Sequence, residues 1–574
     1  MFANSGLYTN NITDIKFLDV NNDFVQDIIV SSFNGVGQAG FKLFNSTSSG
    51  AFNEVFSGVA LADSKIKLID INNDGVQEII HIGNLDPDAI SDNLIVNVYE
   101  QTGGTFTGPL DISDQIENLT SGSFDFGNID NDNDMDFVIT GQGNNGLGSK
   151  VYLNETVYTE TIAPIFTVSE MDGFGIGNSA PYSASQSSLD FIDFDNDGDV
   201  DIALTGQGFT GVIFKILVNN GLSGSALAFD ELIPTGLYPV YNAKLEFGDF
   251  NGDGYADVLY SGNMIGIGET TKLAEYDPTL GTYVDSDFDL EGIIKASVAF
   301  GDMDGDNDLD FVISGENSAN PGENIIKSYL NVRNESADVI ASSGGSDFGP
   351  SIVSDLLTTT SEFIVNERPS IPDGLYTNQL GYDDETQTYV VEFGWNPSTD
   401  DHTLSAGLTY ALKMGTSSGA SDVMKVDALP NGYRLTAGKG NVEHQVQWIL
   451  NLPEEVYYWS VQSIDASYSG SYFSETEVFS PAGSPIITIT SPENNDVLPQ
   501  GTSSVSVSFD IANFSLSEDG SADGYIKWMI NGATQGPLYS SDDIDLDVEE
   551  GQSYFIEMEL VDNEGDSLEN AVQT

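Results

Sequence analysis

Short apolar runs come in pairs along the first 340 residues, and each pair brackets an acidic stretch. The copies read FLDVNNDFVQDIIV from Phe17, LIDINNDGVQEIIHIG from Leu68 and FGNIDNDNDMDFVITG from Phe126. They continue as FIDFDNDGDVDIALTG from Phe191, FGDFNGDGYADVLYSG from Phe247 and FGDMDGDNDLDFVISG from Phe300. Runs this short, such as Ile28-Ile29-Val30 and Phe137-Val138-Ile139, read as strands rather than helices. Taken from Asp19, Asp70, Asn128, Asp193, Asp249 and Asp302, the copies are 51, 58, 65, 56 and 53 residues apart. A period of about 50–60 residues with strand-like pieces is the size of one four-stranded propeller blade. The fourth copy predicts strands over 189–193, 201–205, 214–218 and 227–232, with the acidic loop joining the first two.

Beyond residue 340 the pattern changes. Residues 341–371 read as a linker or degenerate blade, ending in the Pro-bearing stretch Glu367–Pro372. Alternation returns in Tyr389–Trp395, in Tyr457–Val461 and again in Ile486–Thr490, Val505–Phe509, Tyr525–Trp528 and Phe555–Met558. The reading is all-β: a six- or seven-bladed β-propeller over 1–340, then two β-sandwiches over 372–482 and 483–574, the last lacking its final strand. Gly6–Asn10 is a candidate outer strand closing the ring. Trp395 and Trp459 are expected in the core, where large aromatic surface is best placed.

The acidic loops carry the chemistry. At loop positions 1, 3, 5 and 9 every copy has Asp, Asn or Glu: Asp19, Asn21, Asp23 and Asp27; Asp70, Asn72, Asp74 and Glu78; Asn128, Asp130, Asp132 and Asp136 with Asp134 at position 7. The series continues with Asp193, Asp195, Asp197, Asp199 and Asp201; Asp249, Asn251, Asp253 and Asp257; and Asp302, Asp304, Asp306, Asp308 and Asp310. Carboxylates this close repel one another unless a cation lies between them. Oxygen-only donors in a curled loop suit Ca²⁺, whereas zinc or copper sites draw on His or Cys. Cysteine is absent and only three His occur, scattered along the chain. About six calcium sites are predicted, tightest at the loops of Asp193 and Asp302 and weakest at Asp19, where Phe24 replaces the turn residue. An EF-hand is excluded by the strand-like flanks and by the lack of Glu at position 12.

Composition narrows the partners. Asp and Glu number 90 against 17 Lys and Arg, a formal net charge of −73. Such a surface repels phosphate backbones and anionic lipid, which argues against nucleic-acid binding and membrane docking. No apolar stretch approaches the ~18 residues of a membrane span. No signal peptide begins the chain, which reads as a fragment or a mature product. Without Cys, a catalytic His set or a nucleophile motif, the chain is not expected to be an enzyme.

The repeat resembles the FG-GAP or VCBS repeat of integrin-α-like calcium propellers, with Phe247-Gly248-Asp249 and Phe300-Gly301-Asp302 matching its opening phrase. The stretches Ala406–Tyr410 and Tyr457–Asp465 resemble fibronectin type III domains attached to such propellers in marine Bacteroidetes, and the last part resembles a bacterial immunoglobulin-like spacer. The resemblance implies a secreted or outer-surface bacterial module that binds a glycan or surface protein. It leaves two alternatives: a structural filament segment, or the non-catalytic part of a polysaccharide-degrading enzyme. Ligand is expected on the face opposite the acidic loops, with Tyr182 and the Gly141–Ser149 connection as candidates.

Overall fold

The structure, a computed structural model, describes residues 12–20, 26–32, 39–46, 52–72, 76–84, 94–102, 105–154, 166–169, 174–176, 181–223, 226–232, 234, 236–286, 288, 290–317, 319, 324–331, 354–357, 366–383, 387–481, 485–492, 498–499, 501–518, 521–549, 551–563, 565 and 567–573. Asn21, Asp23, Asp74 and the proposed strand Gly6–Asn10 lie outside the described residues.

The protein is all-β, and among the described residues there is no α-helix. Each acidic motif opens a sheet, giving six in sequence, five of them four-stranded and the third with a short fifth strand, Gly175–Ile176. The fourth is built from Ala184–Ile192, Asp201–Gly208, Gly211–Ser223 and Ala226–Leu232, and the fifth from Val240–Gly248, Asp257–Met264, Gly268–Asp277 and Thr282–Asp285. The strands of the fourth sheet cover the predicted ones except Asp193, which begins the loop, and the second and third run longer because their hairpin is tight. Gly143 pairs with Gly146 and Gly208 with Gly211. In the sixth sheet the fourth strand, Ser354–Leu357, pairs parallel to Asn324–Asn331. That strand falls within the stretch read as a linker or degenerate blade.

Consecutive sheets pack face to face. Leu245 and Phe247 of the fifth sheet share a core with Ala203, Phe214 and Ile216 of the fourth. Val298 and Phe300 of the sixth pack on Leu259 and Leu273 of the fifth. Side-chain amides add a directional link. Asn154 Nδ2 donates to Ile71 O, Asn219 Nδ2 to Ile129 O and Asn331 Nδ2 to Phe250 O, each reaching the loop of the preceding sheet. Gln101 Nε2 reaches Val20 O in the same way.

The first strands of all six sheets line one cavity of about 880 Å³. Three residues before each loop stand Lys16, Lys67, Asp125, Asp190, Glu246 and Ala299. The charges are partly paired, with Lys67 Nζ 2.5 Å from Asp125 Oδ1. Two residues earlier, Lys65 Nζ donates to Ser123 Oγ and Ile66 N to Asp14 Oδ2, again joining neighbouring sheets. This arrangement is that expected of a propeller. The core clusters of the first and sixth sheets are separate, and Ile15 and Phe17 stay 42% and 50% exposed where Phe247 is 3%.

Two pairs of facing sheets follow. Tyr376–Asp383, Thr388–Gly394 and Gln447–Leu452 oppose Thr409–Gly415, Tyr457–Ile464 and Glu477–Phe479, with Trp395 and Trp459 in the core between them as expected. Ile487, Val507 and Phe509 likewise pack on Ile526, Trp528, Met558 and Leu560. Ser567–Gln573 forms a strand paired with Ile556–Asp562.

Candidate metal centres

The acidic loops curl because two positions take the left-handed conformation. Position 6, expected to do so, has φ of 72° at Asn133, 95° at Gly198, 87° at Gly254 and 69° at Asn307. Position 4 does the same at Asn131, Asn196, Gly252 and Gly305, which the sequence reading did not anticipate. Gly, Asn and Asp are the residues that accept this backbone cheaply. Two left-handed residues turn successive N–H groups toward position 1. Asp249 Oδ1 accepts from Gly252 N and Asp253 N, and its Oδ2 from Gly254 N. Asp193 and Asp302 are held in the same way by their own loops. Position 5 then accepts from the N–H of position 7 in four loops, from Asp134, Asp199, Tyr255 and Asp308.

Position 9 has a different task. Asp201 Oδ2 accepts from Phe194 N at 2.7 Å and Oδ1 from Asn219 N at 2.6 Å. The same two-ended clamp recurs at Asp27, Asp136, Asp257 and Asp310, and Glu78 makes the loop half of it. This buried carboxylate joins the loop to the third strand. A fixed acidic residue before the apolar run was visible in sequence, but its two backbone partners were not.

The remaining oxygens converge. One carboxylate oxygen from each of Asp193, Asp195 and Asp197 lies within 4.8 Å of the others, and so does one from each of Asp302, Asp304 and Asp310. These are the two loops for which sequence predicts the tightest binding. In the third loop, buried Asp134 Oδ1 and Asn133 Oδ1 lack a hydrogen-bond donor. Burial, reinforced by neighbouring carboxylates, pushes Asp193 up to about 7, Asp134 to about 10 and Asp306 to about 6. Asp249 rises to about 7, and Asp201 and Asp310 to about 8. Converging oxygens with too few donors and too much negative charge fit a hard divalent cation.

A pH dependence follows for metal-depleted protein. These carboxyls have folded-state pKa values above their usual range, so the folded state holds more protons than the unfolded one between about pH 4 and 8. Stability therefore falls as pH rises through that window. Calcium-depleted protein is expected to melt higher near pH 5 than near pH 8, and calcium to abolish or reverse the difference by replacing the protons. Calorimetry at both pH values checks this.

The loop face is not open. Residues 366–470 lie across it. Lys425 Nζ donates to Asp19 O and Val20 O, Glu443 Oε2 accepts from Asn128 N, and Gln445 Nε2 donates to Asn131 Oδ1. Lys439 Nζ reaches Phe191 O, and the buried His444 Nδ1 stands 3.7 Å from Asp193 Oδ2. Burial pushes His444 down to about 3, so it is a neutral imidazole there. Asp249 N donates to Ala466 O, Ser467 Oγ to Asp249 O, and Tyr433 OH to Asp302 O. Met424 and Trp448 join Ile69, Ile71 and Met135 in one core cluster.

On the opposite face Tyr182 is not a free platform. Its ring packs against Phe174 at 5.4 Å, with Lys215 Nζ 5.0 Å from its centroid. The Gly141–Ser149 connection is mostly strand, with only two residues in its turn. The large exposed side chains there are Phe209, Tyr238, Ile265 and Ile267, at 56, 51, 69 and 73% exposure.

Among the described residues no helix is long and apolar enough to cross a membrane. No curated protein matches the chain. A fungal alcohol oxidase of the AA5 family, solved in complex with copper, aligns at a TM-score of 0.35 and 12% identity, covering 79% of this chain and 82% of its own. Residues 193–260, from the fourth acidic loop into the second strand of the fifth sheet, match the FG-GAP-like repeat, so this part of the chain is similar to that repeat family.

Proposed function

We propose that the chain is a secreted or cell-surface recognition module of bacterial origin, non-enzymatic, whose propeller over residues 1–340 is stabilised by about six calcium ions. The observation that carries this reading is the carboxylate loop repeated once per sheet, with oxygens from three carboxylates converging within 4.8 Å at both Asp193 and Asp302. Asp193, Asp195, Asp197 and the backbone around Asp199 would hold one ion, and Asp302, Asp304, Asp306 and Asp310 another. Bound calcium would supply charge neutralisation and cross-linking of the loop. The units over 372–482 and 483–574 act as fibronectin type III-like and immunoglobulin-like modules.

Calcium should bind in preference to magnesium, because five to seven flexible oxygens suit the larger ion and Mg²⁺ demands a compact octahedron. Calorimetric titration with both ions checks this, and equal or tighter Mg²⁺ binding would count against it.

With the loop face covered, a glycan or surface protein is left the opposite face. Phe209 and Ile265–Ile267 sit at the second-to-third hairpin tips of the fourth and fifth sheets, and Tyr238 lies on the connection between those sheets. Exposed apolar side chains grouped on loops above a rigid scaffold favour binding. Replacing Phe209 and Ile267 with Ser should abolish retention on a glycan or cell-surface array while shifting the melting temperature little. Retained binding would return the search to other loops.

A further inference from the structure

We infer that residues 366–470 form a built-in clasp on the metal loops, so that calcium occupancy and docking of this segment are two readings of one equilibrium. The inference rests on the calcium reading above. Its basis is the electrostatics of the contact. The chain carries few cations, yet the segment places its own buried acids against acidic loops. Glu443 is 7% exposed and bonded to the third loop through Asn128 N. Asp465 is 3% exposed, and its electrostatic neighbours include Asp249 at the start of the fifth loop. Like charges brought together away from water repel strongly unless opposite charge is present. Lys439 lies beside Glu443 and Lys425 beside Asp19 and Asp27, and both also donate to main-chain carbonyls, at Asp19, Val20 and Phe191, whereas the charged neighbours of Asp465 are the acids Asp400 and Asp249. Two lysines do not balance the acids gathered here; a cation in each loop adds positive charge and makes the loop face more attractive to Glu443 and Asp465.

The fit is also steric. A Cβ on Gly254 would stand 2.1 Å from His402 O, and one on Gly407 would stand 2.3 Å from Asn196 Oδ1. Asn196 is itself buried and bonded to Gly254 O, so it has no room to yield. Docking therefore reads the curled shape of the fourth and fifth loops, which a bound ion fixes. Linkage makes the effect reciprocal: whatever factor calcium adds to docking, docking adds to calcium affinity.

The test uses the full chain, with calcium as the only ligand, in three arms. Calorimetry first establishes that calcium binds; absence of binding removes the calcium reading itself. Hydrogen exchange is then followed in 402–407, 433–445 and 465–470. Chelation is expected to speed exchange there at least about fivefold, the lower end of ordinary coupling between sites. Unchanged exchange in protein that demonstrably binds calcium overturns the clasp. Tyr433→Phe combined with Ser467→Ala, which removes two docking contacts without changing or crowding a loop residue, is expected to weaken calcium binding by at least a similar factor, and unchanged affinity counts against the coupling. Glu443→Gln combined with Asp465→Asn removes the like charge but keeps the shapes. If the electrostatic account is right, this variant stays docked in chelator to a greater extent than the parent. A purely structural role predicts looser docking with and without calcium.

Discussion

Removing calcium is expected to lower the melting temperature of residues 12–470 as one unit, and by a large amount. Extracellular calcium sites have Kd of about 10⁻⁴–10⁻³ M. At roughly ten times Kd each site adds about 1.4 kcal/mol. Six such sites add roughly 8 kcal/mol, comparable to the net stability of a whole domain at ~5–15 kcal/mol. From sequence alone both sandwiches should be indifferent to chelation, since neither contains the loop. The contacts from Lys425, Glu443, Ser467 and Tyr433 change that expectation for the first sandwich. The second should keep its transition, because these contacts with the loops come from the first sandwich and the second has a core of its own. Scanning calorimetry of the whole chain with and without chelator decides the matter. A first transition unmoved by chelator would leave the loops as acidic turns.

Asp201→Ala should destabilise the protein even in chelator, which separates the clamp from the metal site. The side chain is fully buried and satisfies Phe194 N and Asn219 N. Each orphaned buried N–H costs about 1–3 kcal/mol, so the pair costs roughly 2–6 kcal/mol. Asp195→Asn, on an exposed position of the same loop, should weaken calcium binding and leave the calcium-free melting temperature nearly unchanged. Equal effects of the two substitutions in chelator would mean that position 9 has no separate structural task. Denaturant titration of both variants in chelator gives the comparison.

The repeat and its sheets were readable because each copy carries its own strands, turn and carboxylates within about fifteen residues. Position 6 could be assigned from Gly and Asn alone. What escaped was whatever needs a second copy to make sense. The charges three residues before each loop are spread over 230 residues as Lys16, Lys67, Asp125, Asp190 and Glu246, and form a set only when the loops are aligned. The amide hooks had a signal as well, since Tyr-Leu-Asn ends the third strand at both Asn154 and Asn331. The covering of the loop face had none, because Lys425 and Asp19 are 406 residues apart and nothing local in either announces the other. Tyr182 was misjudged for a related reason: a tyrosine in a long connection looks available until Phe174 and Lys215 are seen to hold it.

The way residues 366–470 lie across the loops has a mechanical side. Anything attached beyond residue 485 pulls on the propeller through this segment. The segment is anchored at the first, third, fourth, fifth and sixth loops, through Lys425, Glu443, Lys439, Ser467 and Tyr433. Tension along the chain is therefore shared among five anchor points loaded in parallel, rather than peeled one by one as along the edge of a single sheet. Forced separation is governed by the rate of crossing the unfolding barrier, and that barrier rises when several contacts must yield together. Such a layout strengthens resistance to pulling without any additional covalent bond.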